Sequence, residues 1–217
     1  QVYKRNIMHA SFPIPTNRVT FIAVTALGSG LESDYSQNLQ QAPVKTETRK
    51  PKADKSYAFA AKLKPGLIKY KVEFGTSTGG TEQVLHTATN LVCGDAYLIE
   101  GQSNAVATDW AGERTEYSSE WIRSFGSMEG DVSKGWGNAV RREGGQWQLG
   151  YWGMDLAKHL VESQKMPTCI INGAVGGTRI DVHQKGGDIY NNITNRVTNA
   201  KLTHGIRGAF WYQGENN

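Results

Sequence analysis

The chain has 217 residues, 38% of them hydrophobic and 20% charged, enough for a real core in one large domain or two small ones. That balance is the composition expected of an ordinary soluble globular protein, and no apolar run approaches the ~18 residues of a membrane-spanning helix. Two cysteines, Cys93 and Cys169, exclude a disulfide framework, and their separation fits no metal-binding motif.

The net charge of +4 is unevenly spread, with +6 over residues 1–92 and −2 over residues 93–217. Much of the excess lies in the basic stretch 45–55. That stretch has no interleaved aromatics on which bases would stack, and acids interrupt it, so it reads as a solvated loop between strands. Both cysteines sit in or beside apolar strand-like runs and are expected to be buried free thiols. The sequence starts at Gln1 and shows no basic-then-apolar leader.

Residues 1–92 read as β. Strands are expected at 2–5, 10–14 and 18–24, then, beyond the polar stretch, at 57–63, 67–74 and 83–88. Alternation is clearest where Ile68, Tyr70, Val72 and Phe74 share one face and Lys69, Lys71 and Glu73 the other, the pattern of a half-buried strand. Pro65-Gly66 and the glycine-rich 75–81 segment supply turns. The latter lacks the Gly-Lys-Ser/Thr ending of a phosphate loop and reads as a hairpin connection. His86 lies in the returning strand and is expected to be structural. Short strands separated by turns, with no helix, predict an immunoglobulin-like β-sandwich.

From residue 93 the texture becomes α/β. A strand at 97–99 stops at Gly101, and Ser103 follows just past its end, where open α/β sheets place their ligands. Ser103 there is either a nucleophile awaiting a base and oxyanion donors, or, with Asn104, a cap for the next helix. The region up to residue 148 is polar and glycine-punctuated, with Trp110, Trp121, Phe125, Trp136 and Trp147. These aromatics either form a wall for sugar rings or pin a long loop to the body. A helix follows at 152–162, with Trp152, Leu156, His159 and Leu160 on one face, so His159 reads as a core residue. A strand at 168–172 ends in Gly176-Gly177-Thr178. A helix at roughly 189–202 and a last strand at 208–212 lead to Gln213-Gly214-Glu215-Asn216-Asn217. Strand, helix, strand, helix, strand is the order of a parallel, doubly wound sheet, which brings Ser103, Gly176-Gly177 and Asn217 to one edge. The alternative is three unrelated tight turns.

Gly101-Gln102-Ser103-Asn104, Gly176-Gly177-Thr178 and Trp211-Tyr212-Gln213-Gly214-Glu215-Asn216-Asn217 together resemble the first three blocks of SGNH hydrolases, most of all the sialate O-acetylesterase-like carbohydrate esterases. An α/β-hydrolase elbow matches less well, because Ala105 stands where Gly-x-Ser-x-Gly has its last glycine. The resemblance covers residues 93–217 and implies a serine carbohydrate esterase that removes acetyl groups from sialate or other glycans, secreted or periplasmic, without metal or cofactor. It implies Ser103 as nucleophile, with an oxyanion hole from the Ser103 N–H, a backbone N–H of Gly176 or Gly177, and the Asn217 amide. Gln102, Asn104, Gln213 and Glu215 would brace the site. Residues 1–92 would be an accessory β-sandwich domain.

The resemblance also implies a general-base histidine and its aspartate in an Asp-x-x-His block beyond the third block. None of His9, His86, His159, His183 or His204 stands in such a sequence; His183, after Asp181, is the nearest substitute. The expectation is therefore an esterase domain whose C-terminal part, or a second chain, supplies Asp and His. Asn192-Ile193-Thr194 matches a glycosylation acceptor, a triplet frequent by chance. Two other readings stay open: a non-catalytic glycan-binding protein, and a lipase or thioesterase of the same superfamily.

Overall fold

The computed structural model describes residues 19–29, 45–49, 59, 61–108, 117–142 and 146–215. The chain forms two compact units, Gln1–Cys93 and Gly94–Asn217.

In the first unit, β1 (Val19–Ser29), β2 (Lys45–Arg49), β3 (Gly66–Thr78) and β4 (Thr81–Cys93) form an antiparallel sheet in the order β2-β1-β3-β4. The alternation in β3 is realised. Tyr70, Val72 and Phe74 are buried with Val24, Phe59, Leu63 and Leu91 in one apolar cluster, and Phe59 meets Phe74 edge-on at 5.8 Å. Gly79 and Gly80, with φ of 58° and 84°, make the β3–β4 hairpin, as the 75–81 segment predicts. Two expectations need correction. Residues 45–49 belong to an edge strand rather than a loop, the β-branched Thr46 and Thr48 being the signal that the charge obscures. Phe59 and residues 61–63 lie outside any strand and serve the core as an apolar connection. The expected strands at 2–5 and 10–14 fall outside the described residues, and a second sheet, which a sandwich needs, is not among the described ones.

The second unit is an α/β fold. Its elements are β5 (Asp95–Gly101), α1 (Ser103–Val106), β6 (Ile122–Phe125), β7 (Trp136–Asn138), α2 (Tyr151–Gln164), β8 (Thr168–Asn172), a 3-10 turn (Ile180–His183), α3 (Asp188–Asn199) and β9 (Ile206–Tyr212). The sheet order is β7-β6-β8-β5-β9. β5 runs parallel to both β8 and β9, β6 is parallel to β8, and only β7 is antiparallel. Successive strand residues face opposite sides of a sheet. A Cβ on Gly153 of α2 would press on Ile99, whereas the next residue, Glu100, faces His183 and the α3 arginine Arg196. The two helices therefore cover opposite faces. All five residues of β8 are buried, the condition for a parallel strand covered on both sides. Ile170 and Ile171 are each fully buried, contributing about 2–3 kcal/mol apiece.

β6 and β7 arise inside the region expected to be a loop. Trp121 and Phe125 are buried, Trp136 meets Phe125 edge-on at 5.3 Å, and Trp147 Nε1 donates to the Gly135 carbonyl at 3.0 Å. A Cβ on Gly137 would strike the Trp147 ring, so glycine at the centre of β7 is what admits that indole. These aromatics pin the segment to the body; Trp110 lies outside the described residues. In α2 the buried residues are Gly153, Met154, Ala157 and Val161, and His159 is exposed, which corrects the face expected from Trp152, Leu156 and Leu160. Cys93 and Cys169 are buried free thiols. No described helix is long and apolar enough to cross a membrane.

Candidate active site

β5 leads on to α2 over one face of the sheet and its neighbour β8 to α3 over the other, so the C-terminal ends of these two strands form a topological switch point. Doubly wound sheets bind their ligands in the crevice beyond such strand ends. The chain turns sharply at that point. Gly101 has φ of 132°, and a Cβ there would collide with the Tyr212 carbonyl. Glycine alone lets β9 pass this close, and the Gln102 N–H then donates to the Tyr212 carbonyl at 3.0 Å.

Gln102 is the N-cap of α1 by backbone geometry, with no side-chain capping bond. Its carbonyl accepts from the N–H groups of Ala105 at 2.8 Å and Val106 at 3.0 Å. Ser103 is thus the first helical residue and not the cap. It is exposed, and its hydroxyl makes no hydrogen bond to a described residue. Asn104 is also released from capping, since its side-chain amide donates to Glu215 Oε1. The short helix is held from behind. Trp152 Nε1 donates to the Asn104 carbonyl at 2.8 Å, and buried Asn172 Nδ2 donates to the Ala105 and Leu149 carbonyls, each at 2.9 Å.

The turn after β8 continues the sheet ladder towards Ser103. Gly173 N–H donates to the Ile99 carbonyl at 2.9 Å and Val175 N–H to the Gly101 carbonyl at 3.0 Å. Asn172 Oδ1 accepts from the Ala174 N–H at 3.0 Å, so one buried side chain ties this turn to α1. Gly176 lies against the serine, where an added Cβ would stand 3.9 Å from both Ser103 Cα and Cβ. Gly177 follows with a left-handed φ of 72°. Thr178 closes the turn by donating Oγ1–H to the Val175 carbonyl at 2.6 Å.

The third arm comes from β9. Gln213 Nε2 donates to Gln102 Oε1 at 3.3 Å and to the Thr178 carbonyl at 3.4 Å, touching both other arms. With Glu215 on Asn104, the four residues expected to brace the site are joined in pairs across β5 and β9. Ser103 and Gly176 are brought together; Asn216 and Asn217 lie outside the described residues.

Behind this crevice sits a buried charged group that periodicity does not reveal. Glu100, on the face of β5 opposite Ile99, is 13% exposed, and burial pushes its carboxyl up to about 7 against the pull of the Gly101 N–H and Arg196. Its Oε2 is 3.5 Å from Nδ1 of His183, whose side chain is 3% exposed and whose pKa burial lowers. His183 Nε2 is 2.8 Å from Thr178 Oγ1, and its ring meets Trp211 edge-on at 5.2 Å. Arg196 is fully buried, with Nε donating to the Phe125 carbonyl at 2.8 Å and Nη1 to the Asn172 carbonyl, so α3 clamps the ends of β6 and β8. Burial lowers its pKa to about 10, opposed by Cys169, Glu100 and Glu129. A sequence signal for these residues exists only in their places, at a strand end and beside the glycine block, because Glu and Arg ordinarily read as surface.

No described histidine hydrogen-bonds Ser103; His86, His159 and His204 are exposed, on β4, on α2 and before β9. No cluster of three or more His, Cys, Asp or Glu with metal-site geometry occurs among the described residues. Chemically, the crevice presents an exposed hydroxyl at a helix start, flanked by glycine-marked backbone. That is the groundwork for nucleophilic attack with oxyanion stabilisation.

No curated protein matches the chain. Among solved structures it is similar to a novel carbohydrate acetylesterase from Xanthomonas citri, at 20% identity and a TM-score of 0.45, covering 100% of this chain and 49% of that one. It is also similar to a protein from Arabidopsis thaliana, at 20% identity and a TM-score of 0.43, covering 57% and 58% respectively. The chain thus spans about half the length of the bacterial protein. Residues 94–217, the whole of the second unit, match the family model described as carbohydrate esterase, sialic acid-specific acetylesterase, and the chain belongs to that family.

Proposed function

We propose that this chain carries the nucleophile and most of the oxyanion hole of a serine esterase that removes O-acetyl groups from a glycan, sialate being the first substrate to try. The observation that carries the reading is the juxtaposition of an exposed, uncapped Ser103 with Gly176 at the switch point of a family-matched sheet. Ser103 Oγ attacks the acetyl carbonyl while a base removes its proton. The C=O electron pair moves onto oxygen, and the N–H groups of Ser103 and of Gly176 or Gly177, with the Asn217 amide, receive that charge. Collapse expels the sugar alkoxide, which takes up the proton, and water then releases acetate from the serine.

The base is an Asp-oriented histidine from a segment other than the described residues, as the resemblance implies. Supporting this, the one described histidine near the crevice, His183, is turned to Thr178 and Glu100. The first unit serves as an accessory domain; its one-sided apolar sheet, topped by Phe59, Ala61 and Leu63, favours completion as an immunoglobulin-like sandwich. A secreted or periplasmic location suits a glycan substrate. The test is acetate release from O-acetylated sialic acid and from an activated acetyl ester by the full-length protein. Turnover of both that disappears in Ser103→Ala supports the reading, and turnover of the ester that survives the change contradicts it.

A further inference from the structure

Three side chains, Glu100, His183 and Thr178, link β5 to the glycine turn. Thr178 Oγ1 is the pivot. It has one proton and gives it to the Val175 carbonyl at 2.6 Å, across the two glycines that it brackets. Towards His183 Nε2, 2.8 Å away, the same oxygen can then only accept, so the imidazole must carry its proton on Nε2. The other ring nitrogen, Nδ1, faces Glu100 Oε2 at 3.5 Å and hydrogen-bonds no described residue; Glu100 Oε1 is likewise buried without a described hydrogen-bond partner.

We propose that Glu100 and His183 are positioning residues for the ester-cleaving site, a buried carboxyl–imidazole pair that holds the Gly176–Gly177 turn against Ser103 through Thr178. The proposal rests on the esterase reading above and adds to it a brace that the reaction does not require by itself.

The pair needs one shared proton to hold. With that proton, either Glu100 is neutral and faces the Nδ1 lone pair with its O–H, or the carboxylate faces an imidazolium. Without it, a carboxylate confronts a lone pair, and the contact turns repulsive. Among the described residues, few groups act on the pair. Arg196 on α3 acts on Glu100, and Glu129 and Cys169 act in turn on Arg196; the Gly101 N–H lies 3.4 Å from Glu100 Oε2, and Trp211 of β9 lies against the His183 ring. The raised carboxyl and lowered imidazole agree in favouring the neutral form, with the shared proton lost near about 7. Turnover should therefore rise as the reaction's base deprotonates and fall again as the pair does.

The experiment is a pH profile of kcat and KM for an activated acetyl ester in the full-length protein, with Ser103→Ala as the control for serine-dependent turnover. Glu100→Gln keeps a donor towards Nδ1 but cannot ionise, so the alkaline limb should flatten. Thr178→Val should lower kcat about tenfold to a hundredfold with KM little changed, because the turn shifts and no binding contact is removed. Thr178→Ser, which restores the hydroxyl, should recover most of the loss. Histidine-selective 15N NMR should show His183 protonated on Nε2 in the wild type whether or not ester is present. Serine-dependent turnover with an unchanged alkaline limb in Glu100→Gln, or a kcat for Thr178→Val within twofold of wild type, would overturn the brace and leave the esterase reading standing. Absence of serine-dependent turnover in the wild type would overturn both.

Discussion

β8 and β9 flank the same strand, run in the same direction and are similarly apolar in sequence, yet every residue of β8 is buried while Phe210, Trp211 and Tyr212 of β9 are 37%, 50% and 49% exposed. The difference is one of neighbours. β8 has a strand on each side and a helix over each face; β9 is the edge strand and pairs with β5 alone. The arms of the candidate site inherit that asymmetry. The turn after β8 is anchored by buried Asn172, Arg196, Glu100 and His183, whereas the turn after β9 depends on Gln213 and the exposed Asn104–Glu215 bond. The lesson is that composition can say a segment is a strand of a parallel sheet, and only the full set of partners says which side is closed.

Changes on the two arms should separate them. The largest effect is expected at the point they share: Ser103→Ala should reduce turnover at least about a thousandfold while leaving the melting temperature unchanged. On the open arm, Asn217→Ala should lower kcat by about a hundredfold with little change in KM, as loss of an oxyanion donor does. A loss confined to KM would move Asn217 out of that role.

Packing gives a smaller contrast. Ile171→Ala in β8 should cost about 3 kcal/mol in chemical unfolding, a buried deletion with no room to collapse. Phe210→Ala should cost less, about 1–2 kcal/mol, because its side chain is already 37% exposed although its ring still packs against Tyr97 and Trp152. A Phe210 cost as large as that of Ile171 would mean that this apolar edge is covered in the protein.

The smallest effect concerns pH. Burial raises Glu100 from 4.5 to about 7, so the folded protein keeps a proton there that the unfolded chain has lost, and this contribution to stability is lost as pH rises through that range. Burial lowers His183 from 6.5, so the unfolded chain holds a proton that the folded imidazole has released, and this contribution is lost as pH falls below 6.5. The two slopes oppose each other just below 6.5, and above it the carboxyl alone makes stability fall up to about 7. Glu100→Gln leaves only the lowered imidazole, whose contribution is lost as pH falls, so its stability maximum should move to higher pH. Melting temperatures across pH 4 to 8 read this directly.

Much of the second unit was legible because its strands are short apolar runs closed by glycine. β5, β8, β9 and both long helices stand within a few residues of where periodicity and turn signals put them. β6 was not, because buried Arg123, whose Nε donates to the Glu120 carbonyl at 2.7 Å, and buried Ser124 interrupt its apolar run. β7 is three residues long with a central glycine, too little for any period to show. The α2 face was misjudged because its small residues, Gly153 and Ala157, take the interior while Trp152 reaches across to Asn104. At the site, the serine and the glycine block announce themselves through turn chemistry. Glu100, His183 and Arg196 do not, since a charged side chain inside a core is defined by partners distant in sequence.

The central claim, that Ser103 is the nucleophile, is tested most directly by covalent trapping. The full-length protein would be treated with a fluorophosphonate, digested and sequenced by mass spectrometry. The account predicts a single stoichiometric adduct on Ser103, formed at the rate at which esterase activity is lost; an adduct on another residue, or complete inactivation with Ser103 unmodified, would contradict it.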